Sequence, residues 1–132
     1  MLAGTGTDII EIARIRQSIA RFGPRFLQRV FTPNEIAFCG RKKNAAESYA
    51  GRFAAKEAAA KALGTGIARG VTWLEIEVRR QPGERPAIHF HGRAAARAAA
   101  LGVTTASLSI THSRDLALAT VLLESLESPE SN

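Results

Sequence analysis

A single cysteine, Cys39, and three histidines, His89, His91 and His112, are the only soft metal-ligating side chains among 132 residues. One cysteine cannot close an internal disulfide, and the set is too small for a structural zinc site, so any bound metal must be held mainly by oxygen. Long hydrophobic runs are missing too. The longest apolar stretch, interrupted by Thr120, lies near Leu116 to Leu123, far short of the roughly 18 to 20 residues that a membrane span needs. The opening residues, Met1 to Gly6, have no basic segment followed by a long apolar one, so no secretory signal is expected and a cytoplasmic location is. Neither the P-loop nor the Rossmann glycine signature occurs, which leaves Gly4-x-Gly6 and Gly64-Thr65-Gly66 as weak phosphate signals on their own.

What is present is ordinary globular composition, 45% hydrophobic and 23% charged, over a length suited to one domain with one core. The expectation is a single domain over residues 1–132, with 125–132 as a polar, disordered tail. The net charge of +6 is unevenly placed. Between Glu11 and Lys43, eight basic residues (Arg14, Arg16, Arg21, Arg25, Arg29, Arg41, Lys42, Lys43) face only Glu11 and Glu35, so this third of the chain carries the whole excess. A local positive field of that kind speeds encounter with an acidic partner, although a solvated face that serves only solubility would read the same.

Periodicity gives the elements. Residues 2–10 read as a strand that carries Asp8 near its end, with Gly4 and Gly6 letting another backbone come close. From Glu11 to Phe22 the residues Ile12, Ile15, Ile19 and Phe22 share a helical face, and Gly23-Pro24 ends the pattern. Thr32-Pro33-Asn34-Glu35 has the capping-box order that starts a short helix to about Gly40. An alanine-rich helix runs from after Asn44 to Leu63, closed by Gly64. Trp73 to Arg80 alternates, which predicts a strand with Leu74, Ile76 and Val78 inward and Glu75, Glu77 and Arg79 outward. It pairs with Ala87 to His91 across the turn Gln81–Pro86. A helix over 92–101 and strands over 106–112 and 116–124 complete the chain. The sum is an α+β fold, a mostly antiparallel sheet packed against a long helix.

On the long helix Glu57 and Lys61 stand one turn apart, on the side that also presents Ala50, Phe53 and Ala54. An i,i+4 pair is commonplace, but a charge on an inward side needs a partner or an ion. Asp8, on an otherwise apolar strand, is the natural second carboxylate, unless it caps the following helix. Two carboxylates supplemented by phosphate oxygens and water suit Mg²⁺. His89 and His91 could chelate metal, but no third ligand stands nearby, and the plainer reading is two surface histidines. His112, followed by Ser113 and Arg114, could donate to phosphate or simply end a strand.

Gly6-Thr7-Asp8-Ile9-Ile10-Glu11-Ile12 with Arg14, Arg52-Phe53-Ala54-Ala55-Lys56-Glu57-Ala58 through Lys61, Gly64-Thr65-Gly66 and Ser109-Ile110-Thr111-His112-Ser113 together resemble the holo-[acyl-carrier-protein] synthase family of small phosphopantetheinyl transferases. The likeness runs from about residue 2 to residue 124. It implies a phosphopantetheinyl transferase fold, a homotrimer with active sites between protomers, and coenzyme A and Mg²⁺ as companions. By position, Asp8 and Glu57 are similar to the family's Mg²⁺ ligands, and Lys61 to the cation beside the coenzyme A pyrophosphate. Lys56 and His112 would assist with phosphate groups. Gly64 and the turn Gly83-Glu84-Arg85-Pro86, similar to the loop near the adenine, would complete the coenzyme A contacts. Arg14 and Arg21 are similar to the residues that grip the acidic helix of the carrier protein. The implied reaction moves phosphopantetheine from coenzyme A to a carrier serine, with Mg²⁺ and Lys61 stabilising phosphate oxygens. The serine proton would go to Glu57 or to a water on the metal. On this reading neither nucleic acid nor a membrane is a partner. Two alternatives remain: a basic nucleic-acid-binding module, which calls for stacking aromatics among the arginines, and a coenzyme A binder without transferase activity.

Overall fold

The computed structural model describes residues 1–126. Strand β1 (Leu2–Glu11) leads into helices α1 (Ile12–Phe22), α2 (Pro24–Val30), α3 (Pro33–Gly40) and the long α4 (Ala45–Ala62). After a loop and a 3₁₀ turn at Trp73–Glu75 come β2 (Ile76–Arg79), β3 (Ala87–Phe90), α5 (Gly92–Ala100), β4 (Thr105–His112) and β5 (Leu116–Glu124). Both sheets are antiparallel: a three-stranded one in the order β1-β5-β4, and the β2-β3 hairpin by itself. This is the α+β architecture that the periodicity predicts. No helix among the described residues is long and apolar enough to cross a membrane.

Helix α4 organises the molecule. Its face of Ala54, Ala55, Ala58, Ala59 and Ala62 is buried with Val121 and Leu123 of β5 and Ile76 and Val78 of β2. Its first half, through Tyr49 and Ala50, packs with Ile12, Ile15, Val30 and Phe31 from the preceding helices. Asn44 caps α4 by accepting from the Glu47 amide at 3.2 Å. The small residues of α4 let β1 come unusually close. A Cβ on Gly4 would collide with the carbonyl of Ala62, and one on Gly6 with that of Ala58.

Two expectations change, and a stretch without a sequence pattern forms a helix. The segment after Gly23-Pro24 is a further helix, α2, because Gly23 (φ +56°) turns the chain and Pro24 occupies the first helical position, where its missing N–H costs nothing. Strand β2 begins at Ile76 rather than Trp73, since Thr72 and Glu75 form a capping box that winds Trp73–Glu75 into a 3₁₀ turn and leaves Leu74 exposed. Glu77, expected outward, is buried. Of the segment expected to be a polar tail, residues 127–132 lie outside those described.

Candidate active site

Gly6 and Asp8 are two apart on β1 and therefore point to the same face, the one against α4. The close approach that Gly6 permits sets Asp8 against the helix, where Lys61 Nζ donates to Asp8 Oδ1 at 2.9 Å and to the Thr7 carbonyl at 3.2 Å. The Asp8 side chain is 17% exposed and that of Lys61 52%. Glu57, one helical turn before Lys61, lines a cavity of about 280 Å³ together with Asp8, Arg14, Ser18, Phe26 and Phe53. Burial pushes the Glu57 carboxyl above the usual carboxylate range. A hydrogen bond from the Trp73 indole opposes that push, the Asp8 charge adds to it, and the Lys61 ammonium opposes it again. The structure thus brings Asp8, Glu57, Lys61 and Arg14 to one place. Two carboxylates close enough to repel form a site that a cation would relieve. Among the described residues no group of three or more His, Cys, Asp or Glu side chains converges. The donor set that is present, two carboxylates, is one that Mg²⁺ accepts when phosphate and water complete its shell.

Lys56 does not join this cluster. Its side chain is fully buried, and its three donors are all engaged: with Glu35 Oε1 at 2.7 Å, the Ile76 carbonyl at 2.6 Å and the Trp73 carbonyl at 3.0 Å. With no N–H left over, the ammonium cannot assist a phosphate, which corrects the role expected for it. Adjacent residues on a helix point about 100° apart, so Glu57 faces the cavity while Lys56 enters the core. Glu35 is satisfied in turn by the backbone amides of Thr32 and Val78, each at 2.8 Å. Glu77 sits beside this pair. Burial alone would raise its carboxyl, but hydrogen bonds from His91, Thr32, Arg79 and Asn34 pull it down to about 2. His91 therefore braces a structural carboxylate, and His89 is exposed on the neighbouring strand.

His112 lies elsewhere. It stands 3.3 Å from Glu47, at the start of α4, and lines a groove of about 630 Å³ with Lys42, Lys43, Arg52, Arg80 and Pro86. Ten residues of helix separate Glu47 from Glu57, about 15 Å at 1.5 Å per residue, so one chain does not bring His112 to Asp8. Arg52 is 7% exposed and stacks its guanidinium 4.1 Å above the Phe38 ring. Its Nη1 donates to Ser48 at 3.4 Å, but its Nε is buried without a partner.

Pro86 reaches this groove, while Gly83 (φ +78°) and Arg85 lie on the exposed turn before it. Gly64 (φ +81°) follows the end of α4, one turn beyond Lys61. Arg14 and Arg21 are both exposed on α1, with Arg21 5.2 Å above the Phe22 ring. All eight basic residues of the 11–43 stretch are exposed, so the positive field is real. Neither Arg52 nor Trp73 is marked out by its sequence context: only packing buries one beneath a basic groove and bonds the other to Glu57.

Residues 4–121 match the family model described as the 4′-phosphopantetheinyl transferase superfamily. A protein from Koribacter versatilis named holo-[acyl-carrier-protein] synthase is 56% identical over 124 residues, covering 94% of this chain and 99% of the relative. One of the same name from Maricaulis maris is 52% identical over 128 residues, covering 94% and 90%. Among solved structures, the Helicobacter pylori holo-[acyl-carrier-protein] synthase in complex with coenzyme A superposes with a TM-score of 0.80 at 35% identity, covering 91% of this chain and 99% of that one. The corresponding protein from Neisseria meningitidis gives 0.85 at 34% identity, covering 94% and 99%.

Proposed function

The chain belongs to the 4′-phosphopantetheinyl transferase superfamily, and on that premise we propose that two copies of it complete each active site. One presents Asp8, Glu57 and Lys61, and its neighbour presents the groove of Lys42, Arg52, Pro86 and His112. The protein transfers the 4′-phosphopantetheine moiety of coenzyme A to a serine of apo acyl carrier protein, giving holo carrier protein and adenosine 3′,5′-bisphosphate. It does so as one transferase domain spanning the chain, located in the cytoplasm.

The separation of the two clusters along α4 carries this reading. A substrate with a pyrophosphate and a further phosphate needs several cations, and a single chain offers them in two places. A second feature favours association of copies, the trimer that the family resemblance implies. The outer face of the three-stranded sheet presents the rows Thr5–Leu122–Ser107, Thr7–Thr120–Ser109 and Ile9–Leu118–Thr111, without a charge among them. Leu122 is 41% exposed and Ile9 56%. Apolar and hydroxyl-bearing rows open to water are what a contact between copies would cover.

Asp8 and Glu57 would hold Mg²⁺, which when bound supplies positive charge against the pyrophosphate oxygens of coenzyme A. Lys61, whose half-exposed side chain pairs with Asp8, offsets one of the two carboxylate charges and would reach a phosphate oxygen of bound coenzyme A. The carrier serine proton would go to a base in this cavity, either Glu57 or a water beside it. In the groove, the exposed ammonium of Lys42 and the imidazole of His112 provide donors for an anionic group. Gly64, Gly83 and Arg85 would line the coenzyme A path with backbone and exposed surface. Arg14 and Arg21, two turns apart on α1, present charge to an acidic helix of the carrier beside the Asp8 cavity.

Subunit complementation tests the shared site. Glu57→Gln and His112→Ala chains should each be inactive alone. Co-expressed, they should regain part of the activity, because some interfaces then join two intact halves. No recovery in mixed assemblies would contradict the two-copy site.

A further inference from the structure

Glu57 is held by a residue that can do nothing else to a metal. An indole N–H donates but has no lone pair to offer, so Trp73 can orient a carboxylate without competing for its cation. We propose that Trp73 is a positioning residue for Glu57: its Nε1, 3.2 Å from Glu57 Oε1, fixes the rotamer of that carboxylate and leaves Oε2 free for the ion shared with Asp8. This rests on the reading of Glu57 as a Mg²⁺ ligand.

Trp73 is itself anchored from other sides. Its carbonyl accepts from the buried Lys56 ammonium at 3.0 Å. Its ring lies 6.1 Å from that of Phe53 at a 31° tilt. The 3₁₀ turn that it opens is closed by Thr72, whose amide donates to Glu75 at 2.8 Å. The path Glu35–Lys56–Trp73–Glu57 therefore runs from a fully buried ion pair to the candidate metal site, every link a hydrogen bond or ion pair. An unheld glutamate on a helix would have to give up side-chain freedom each time it bound the ion. Partners that orient metal ligands in this way are commonly worth about 10- to 100-fold in affinity or activity.

The chain has one tryptophan, so its emission reports on Glu57 without background from another indole. Mg²⁺ is titrated into the protein at saturating coenzyme A, without carrier. Tryptophan emission and calorimetric affinity are recorded for the wild type, and affinity and thermal midpoint also for Trp73→Phe and Glu57→Gln. Trp73→Phe keeps an aromatic ring beside Phe53 and the carbonyl bonded to Lys56, and removes the N–H with the second ring of the indole. The expected result is an emission change in the wild type on Mg²⁺ binding, and affinity about tenfold weaker in Trp73→Phe with the thermal midpoint held. Wild-type Mg²⁺ affinity in Trp73→Phe would overturn the inference. Should that variant fail to fold, wild-type emission that ignores Mg²⁺ while Glu57→Gln abolishes binding would overturn it as well. If Glu57→Gln binds Mg²⁺ like the wild type, the ligand reading itself falls, and this inference with it.

Discussion

Lys56 Nζ lies 2.7 Å from Glu35 Oε1, and neither side chain has any exposed surface. Removing one member of such a pair leaves an uncompensated charge in the core, at a cost of about 3–5 kcal/mol. Lys56→Met should lower the unfolding free energy measured in urea by that amount, and the double variant Glu35→Gln/Lys56→Met should recover part of it. A Lys56→Met protein of wild-type stability that no longer binds coenzyme A would restore the phosphate role withdrawn above.

The closeness of β1 and α4 puts Asp8 within reach of the helix. Gly6→Ala forces a methyl group against the Ala58 carbonyl, and overpacking of this kind costs about 1–3 kcal/mol. The strand must move outward, taking Asp8 away from Glu57 and Lys61. Reduced stability together with a larger loss of Mg²⁺-dependent turnover is expected in denaturation and rate measurements. Unchanged turnover would separate the glycine from the site.

Stability should fall in acid through Glu77. Its carboxyl is held at about 2 in the folded protein against an ordinary 4.5. A depressed folded value means that the contribution is complete above pH 4.5 and is lost as the pH falls toward 2, at most about 3 kcal/mol in all. Glu77→Gln should lack this part of the acid slope in urea titrations between pH 5 and pH 2. An identical slope in the variant would assign the acid sensitivity to other carboxylates.

Charge reversal on α1 should divide the two substrates. Arg14→Glu/Arg21→Glu should raise KM for the carrier and weaken the salt dependence of turnover, because rim charges act chiefly on encounter. Coenzyme A affinity, measured without carrier, should stay as it was. Carrier turnover that survives the double reversal would remove α1 as the docking helix.

Much of this was legible in the sequence because it depends on local rules. The Thr32 capping box, the Asn44 cap and the two alternating terminal strands are short-range patterns, and each element forms where its pattern lies. Gly4 and Gly6 announced a close approach, although not to which backbone. What the pattern misjudged depends on long-range packing. Glu77 alternates as a surface residue, but Thr32 and Asn34 come from forty-odd positions away to bury it. Lys56 and Glu57 share a motif, and only the turn of about 100° between adjacent helical residues, set against the surrounding packing, assigns one to the core and the other to the cavity. Arg52 carried no signal of burial, since its partner surface, Phe38, sits on another helix.

The most direct test of the account is the intact mass of an apo acyl carrier protein after incubation with this protein, coenzyme A and Mg²⁺, alongside an EDTA control and the Glu57→Gln variant. The account predicts a gain of about 340 Da, one phosphopantetheine attached in a metal-assisted step, in the complete mixture and none in either control. A carrier that gains the same mass with Glu57→Gln, or in the presence of EDTA, would contradict a metal-assisted transfer built on Asp8 and Glu57.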